Sequence, residues 1–283
     1  MRLEAIVLPL VRLALTEDLG GGDATTDAVV DEGASARAHI SSKQEGILAG
    51  TEVASLAFRE LDPGATIEWL VKEGGPLTKG GQFATIAGKA RAILSAERVA
   101  LNYLQHLSGI ATMAHAFVKA VEGTGVRILD TRKTTPGLRF LEKHAAHAGG
   151  AGNHRFGLFD GILIKENHIV AAGGLKQAVE RARAGANGLP LVVEAKSQEE
   201  VLEVAELKPD RILLDNFTPS AIVSVLRRLP KGGPEIEVSG GIRLANVRDF
   251  ALPGVHYISV GSITHSAPAI DMSLTIDSMK AGR

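Results

Sequence analysis

The sequence predicts an α/β protein in which an N-terminal α+β domain is packed on an incomplete, open parallel α/β barrel. Three observations predict it. Of 283 residues, 45% are hydrophobic but only 4% aromatic, so Ala, Val, Leu and Ile carry the apolar load, as tight helix-on-sheet packing requires. Gly supplies 32 residues, enough for many short turns between strands and helices. Beyond Gly125, short apolar runs alternate with helix-like stretches, the pattern of a parallel sheet with crossover helices.

The elements follow in order. "MRLEAIVLPLVRLALTEDLG" is apolar, but Arg2, Glu4, Arg12 and Glu17 interrupt it at roughly helical spacing, which makes it an amphipathic helix rather than a leader. "EDLGGGDATTDAVV" is a polar, Gly-rich turn region. Ala36 to Ile40, Thr66 to Val71 and Phe83 to Ile86 are strand-like runs, and "VKEGGPLTKGGQFATIAG" has the glycine spacing of a small β-rich module. A long apolar-periodic segment runs from Ser95 to Glu122, with Ser95 as N-cap and Glu97 in the first turn, and bridges two domains.

Strand-then-helix units come next. The strands are Val126 to Leu129, Ile162 to Ile164, Leu191 to Val193, Arg211 to Leu214, Glu235 to Val238 and Tyr257 to Val260. Between most of them lie helical stretches: Leu138 to His147, Leu175 to Ala184, Gln198 to Leu207, Pro219 to Leu229 and Leu244 to Phe250. Six strands fall short of a full eight-stranded barrel. The expected domains are 1–107, joined by the C-terminal segment 270–283, and 108–269.

Charge and composition exclude several functions. With 31 basic against 32 acidic side chains the net charge is −1, which gives no global field for nucleic acid or an anionic membrane. No uncharged run approaches the roughly 18 residues that span a bilayer, so a cytoplasmic protein is expected. The absence of cysteine rules out disulfides, thiolate catalysis and Cys-ligated metals, and fits a reducing compartment.

In parallel α/β folds the C-terminal ends of the strands face the ligand. Here every one is polar: Asp130 with Arg132 and Lys133, then Lys165, Glu194, Asp215, "SGGI" at 239–242 and "VGS" at 260–262. One charged strand end means only that strands meet water, but six with both signs present mark an active face. Ser239, Gly240 and Gly241 lead toward a helix beginning near Leu244, and Val260, Gly261 and Ser262 form a second such turn. Exposed N–H groups and little bulk on the last two strands suit a phosphate. Arg132, Lys133, His154, Arg155 and Lys165 gather five cationic groups in a nearly neutral chain, which calls for a ligand rich in carboxylates or phosphates. Glu194 and Asp215, one strand apart, either hold Mg²⁺, directly or through its waters, or orient ribose hydroxyls, or simply balance the cations. His168 is either an ordered loop residue or a catalytic one. His144 and His147, three apart on a helix, face solvent or packing rather than a metal. Thr134 and Thr135 either meet an anion or satisfy the backbone of the turn at Pro136 and Gly137.

"DTRKTTPGLR", "GNHRFGL", "LIKENHI", "LLDNF", "VSGGI" and "ISVGSITHSAPAIDMSL", with the N-terminal "EDLGGGDATTD" and "EGILAG", together resemble the type II phosphoribosyltransferases, and most closely the quinolinate phosphoribosyltransferase family. The ordered set spans nearly the whole chain. The resemblance implies a homodimer with shared active sites, or a higher oligomer built from it, in which one N-terminal domain completes the neighbour's cleft. It places Arg98 of "SAERVALN" across that interface. Thr131, Arg132, Lys133, His154, Arg155 and Lys165 fall on the anion pocket, Glu194 and Asp215 on the acidic pair near ribose and Mg²⁺, and the two glycine turns on the 5′-phosphate loops. Lys133, Lys165, Glu194 and Asp215 are the implied catalytic residues.

The sequence departs from the family pattern in places. "VVEAKS" keeps only the central acid of a run that is often alternately acidic, with Val192 and Lys196 flanking Glu194 on one strand face. Ala151 replaces the third Gly of "GGG", and His144 stands where Tyr is common. The substrates implied are quinolinate and 5-phosphoribosyl 1-diphosphate with Mg²⁺, the product nicotinate mononucleotide in NAD biosynthesis. Rival readings are a Schiff-base barrel aldolase using Lys165, a phosphoribosyltransferase for another aromatic acid, and a non-catalytic phosphate-sensing scaffold.

Overall fold

A computed structural model describes residues 3–282. In chain order its elements are α1 (Leu3–Leu19), α2 (Ala24–Val29), β1 (Ser35–Ser42), β2 (Gly46–Ile47), α3 (Thr51–Leu61), β3 (Thr66–Trp69), β4 (Pro76–Leu77), β5 (Gln82–Lys89) and α4 (Ala90–Ala120). There follow β6 (Arg127–Leu129), α5 (Arg139–Ala148), β7 (Ile162–Ile164), α6 (Glu166–Ala172), α7 (Leu175–Gly185), β8 (Leu191–Ala195), α8 (Gln198–Glu206) and β9 (Arg211–Asp215). The chain closes with α9 (Pro219–Leu226), β10 (Glu235–Ser239), α10 (Val247–Phe250), β11 (Tyr257–Ser259), α11 (Ser262–His265) and β12 (Met272–Lys280). Contacts group these into two units. The first comprises the chain up to Met113, Thr135–Gly150 and the chain from Ser266 onward; the second comprises Ala114–Thr134 and Ala151–His265.

The first unit is built on an antiparallel sheet of order β12-β1-β5-β3, with β2 and β4 as a separate pair. Alternation along β1 buries Ala36, Ala38, Ile40 and Ser42, the period-2 signal legible in "SARAHISS". On α3 the buried positions Val53, Ala54, Ala57 and Phe58 form one face, and Trp69 stacks on Phe83 at 6.3 Å while its indole donates to Ser55 Oγ at 3.1 Å. The C-terminal strand β12 pairs along the whole of β1. Segment 135–150 joins this unit although it falls inside the expected range 108–269. The reason lies on α5, where the fully buried Glu142 accepts from His106 Nε2 at 2.9 Å and from the Thr135 amide at 3.1 Å.

Two helix starts differ from expectation. α4 begins at Ala90 rather than Ser95, because the apolar "ARAIL" preceding Ser95 continues the buried face through Ala90, Ala92 and Ile93. Ser95 is therefore no N-cap; its hydroxyl donates to Asp23 Oδ2 at 3.0 Å, and Asp23 in turn caps α2. The helix expected near Leu244 starts at Val247 and lasts four residues. The side chains of Arg2 and Glu4, two of the charges that give the first helix its amphipathic spacing in the sequence, lie outside the described residues.

The second unit is a six-stranded, all-parallel sheet of order β6-β11-β10-β9-β8-β7. Sequence neighbours β6 and β7 lie at opposite ends and do not pair, so the barrel is open between them. Gly152 takes up the free edge of β6: its amide donates to Ile128 at 2.8 Å and its carbonyl accepts from Asp130 at 3.0 Å. Ile128, Ile212, Leu214, Ile236, Val238 and Ile258 are buried on one face of the sheet. The other face carries Arg211, Leu213 and Asp215 on β9, registered with Glu235, Glu237 and Ser239 on β10 and with Tyr257 on β11. Strands buried on both faces are ordinarily apolar throughout. This one has a charged interior.

Candidate active site

The strand ends of the second unit form the site, beginning with β6. Asp130, at its C-terminal end, is fully buried; its carboxylate accepts from Asn153 Nδ2 at 2.6 Å and from the His154 amide at 2.8 Å. It clamps the 152–154 segment beside the strand rather than facing solvent. The loop that follows is pinned by its own polar groups: Thr131 Oγ1 accepts from the Lys133 amide at 3.0 Å, and the Lys133 carbonyl accepts from Thr264 Oγ1 at 2.6 Å. A Cβ on Gly261 would come within 2.9 Å of Lys133 Cδ, so the glycine leaves the room that lets this loop approach the turn after β11. The Thr134 hydroxyl donates to the Arg132 carbonyl and the Thr135 amide to Glu142, so both threonines serve backbone organisation.

The cations converge. Arg155 donates to the Gly161 carbonyl at 3.0 Å, and its guanidinium pKa is lowered, first by burial and then by the charge of Arg132. His154 is 12% exposed; its Nδ1 accepts the Arg155 amide at 2.7 Å and its Nε2 lies 3.4 Å from Glu237 Oε1. From beyond β6 a side chain reaches β10 only across the concave side of the sheet, which makes the charged face the barrel interior. Burial would raise the pKa of Glu237, but His154, Arg211 and Ser259 together outweigh it and hold the carboxyl below its ordinary value. Arg211 donates to Glu237 Oε2 at 2.8 Å and stands 3.7 Å over the Tyr257 ring, whose hydroxyl donates to Glu235 at 2.9 Å.

Lys165 Nζ contacts the Glu194 carboxylate, itself 8% exposed. The Lys165 amide donates to His168 Nδ1 at 3.0 Å, so His168 closes the first turn of α6. Lys196, beside Glu194 on the same strand face, turns to Glu166; that contact, and then the charges of Glu194 and Asp215, raise its pKa. Asp215 accepts from Ser239 Oγ and Asn216 Nδ2, both at 2.9 Å. Gly240 and Gly241 follow at φ +90° and +64°. Val260 is buried and donates to the Leu129 carbonyl at 2.9 Å, Gly261 turns the chain, and Ser262 opens α11.

The structure thus brings Thr131, Arg132, Lys133, His154, Arg155, Lys165, Glu194, Asp215 and both glycine turns to one unit. Arg98 is exposed on α4 in the other. His144 and His147 are both exposed, as expected for solvent-facing positions on α5; His144 also pairs with Glu73 at 3.6 Å, and that contact raises its pKa against the opposing effect of burial. Sequence reasoning missed Glu237, Arg211, Thr264 and Glu142. The alternation in "RILLD" and "EIEVS" carried a signal for the first two, since a period of two sets Glu237 on the face of Ser239 and Arg211 on that of Asp215. Among the described residues no group of three or more His, Asp or Glu forms a metal cage, and no helix is long and apolar enough to cross a membrane.

Fold and site define an open parallel α/β-barrel protein whose mouth mixes cations, a carboxylate pair and two glycine turns. Residues 23–108 match the N-terminal domain model of quinolinate phosphoribosyl transferase and residues 110–275 its C-terminal domain model. The chain is 42% identical over 261 residues to a probable carboxylating nicotinate-nucleotide pyrophosphorylase of Bacillus subtilis, covering 92% of this chain and 90% of that one. It is 41% identical to the Mycobacterium leprae carboxylating nicotinate-nucleotide pyrophosphorylase, over 94% and 95%. The solved nicotinate-nucleotide pyrophosphorylase of Francisella tularensis superposes with a TM-score of 0.93 at 37% identity, covering 98% of each chain. The chain belongs to the quinolinate phosphoribosyltransferase family.

Proposed function

We propose that this chain transfers the phosphoribosyl group of 5-phosphoribosyl 1-diphosphate to quinolinate, releasing diphosphate and CO₂ and forming nicotinate mononucleotide for NAD biosynthesis. The observation that carries the reading is the ring of opposed charges on one rim of an open barrel, in a chain of this family. Arg132 and Arg155, with Arg98 of the partner subunit, take the two carboxylates of the diacid, and His154 borders them. Lys133 and Lys165 add positive charge between diacid and diphosphate. Thr131 shapes the loop that carries Arg132, while Ser239, Gly240 and Gly241 with Val260, Gly261 and Ser262 receive the 5′-phosphate.

The ring nitrogen's lone pair forms the bond to the anomeric carbon as the carbon–oxygen bond to diphosphate breaks. Positive charge develops on the ribose, and Glu194 and Asp215 are placed to stabilise it and hold the hydroxyls. The ring nitrogen is then cationic. When the adjacent carboxyl leaves as CO₂, its bonding electrons pass into that ring and the carbon takes a proton. Two carboxylates are the protein donors Mg²⁺ ordinarily uses when phosphates and waters complete its shell, so Glu194 and Asp215 fit Mg²⁺ arriving with the diphosphate. Held by these two carboxylates, Mg²⁺ would supply positive charge to the departing diphosphate. Lys165 is half exposed and engaged with Glu194, whereas Schiff-base lysines are desolvated or set beside another cation, which disfavours the aldolase reading. A homodimer with shared sites and a cytoplasmic location belong to the same proposal.

Incubation with quinolinate, 5-phosphoribosyl 1-diphosphate and Mg²⁺ tests it, with nicotinate mononucleotide and CO₂ measured together. Turnover of nicotinate but not quinolinate would refute the substrate assignment.

A further inference from the structure

We infer that Glu237 is a positioning residue of this site and acts through His154; the inference rests on the function proposed above, because His154 borders the diacid. Glu237 sits midway along β10 on the inner face and is fully buried. One carboxylate oxygen, Oε2, is fixed by Arg211 at 2.8 Å, and Arg211 is fixed in turn by Glu235 at 3.3 Å and by the Tyr257 ring. The other, Oε1, has no donor in hydrogen-bond geometry and faces His154 Nε2 at 3.4 Å.

The imidazole is specified from both sides. Its Nδ1 lone pair takes the Arg155 amide at 2.7 Å, so the ring proton resides on Nε2, the nitrogen 3.4 Å from Glu237 Oε1. Orientation therefore passes from the rigid base of the barrel to its mouth. Arg211 sets Glu237, Glu237 sets the plane and tautomer of His154, and His154 sets the backbone from which the Arg155 guanidinium extends into the diacid pocket. An apolar side chain would fill this position in the sheet without desolvating a charge. A carboxylate opposite an imidazole N–H does what an apolar group cannot, holding one tautomer in one orientation, as carboxylates do for catalytic and metal-bound histidines.

The test is a double-mutant cycle on the intact enzyme between Glu237→Gln and His154→Ala, with kcat and KM measured for each substrate. Glu237→Gln is expected to raise KM for quinolinate about 10-fold or more, as loss of alignment at a reacting group does, with kcat and the KM for 5-phosphoribosyl 1-diphosphate changed far less. In the His154→Ala background the same substitution is expected to cost nothing further. An unchanged quinolinate KM in the single variant, or losses that multiply in the double variant, overturn the inference. Should Glu237→Gln fail to fold, Glu237→Asp keeps the charge against Arg211 and carries the same cycle. Nitrogen-15 spectra of labelled histidine read the tautomer without turnover. A wild-type enzyme inactive on quinolinate would defeat the functional proposal alone, while a His154 ring protonated on Nδ1 would defeat this one.

Discussion

The turn after β10 makes the sharpest quantitative prediction, because two adjacent glycines there face different surroundings. Both hold a left-handed backbone, Gly240 at φ +90° and Gly241 at +64°. A Cβ at Gly241 would have nothing within 4 Å, whereas one at Gly240 would fall 2.2 Å from Asn216 Oδ1 and 2.8 Å from the Asn216 backbone nitrogen. Gly241→Ala thus carries the backbone penalty alone, about 1–2 kcal/mol. Gly240→Ala adds overpacking of about 1–3 kcal/mol, and the backbone nitrogen cannot swing aside as a side chain would. In a chain of this size each kcal/mol lowers Tm by about 2–4 °C, so losses of roughly 3–6 °C for Gly241→Ala and roughly 10 °C for Gly240→Ala are expected. The displaced Asn216 also donates to Asp215, so Gly240→Ala should raise KM for 5-phosphoribosyl 1-diphosphate more than Gly241→Ala does. Scanning calorimetry and initial rates on the two variants check this. Equal losses of Tm would refute the close approach of Gly240 to Asn216, and an unchanged KM would remove this turn from the ribosyl phosphate site.

Three further outcomes are expected. Arg132→Ala should lose about 100-fold or more in kcat/KM while its circular dichroism and Tm stay near wild type, since the side chain emerges from a loop rather than the core; full turnover in that variant would take Arg132 out of the pocket. Chelating Mg²⁺ should abolish nicotinate mononucleotide formation yet leave Tm unmoved, because no closed cage of donors is found among the described residues; a large drop in Tm would point to a structural metal. His106 and Thr135 hold the Glu142 carboxyl below its ordinary 4.5 despite burial, so its contribution is present above that value and fades as pH falls through the lowered native one. Urea midpoints between pH 5 and pH 3 should therefore fall more steeply for wild type than for Glu142→Gln, and parallel curves would contradict the assignment.

Much of the fold was legible because it is encoded locally. The period-2 burial of "SARAHISS" and the alternation of apolar runs with helical stretches after Gly125 depend on neighbours within a few residues, and strand-end polarity pointed to the face on which the cations gather. Helix starts were legible only where a cap competed with nothing. At Ser95 the capping preference lost to a buried apolar stripe that extends five residues further back, to Ala90. In the sequence Asp130 is one charged strand end among several, whereas its two hydrogen bonds to Asn153 and His154 turn it into a clamp.

By itself the sequence determined the α/β class, the short parallel strands, the residue types at their ends and the family. Tertiary structure alone decided which charges answer which. Glu142 meets an amide seven residues away and a histidine 36 away, His154 finds Glu237 across the barrel, and Lys165 finds Glu194 29 residues on. Hydrophobic periodicity is a property of one segment, but a buried ion pair exists only after the strands are in register, when exclusion of water makes each charge's partner specific.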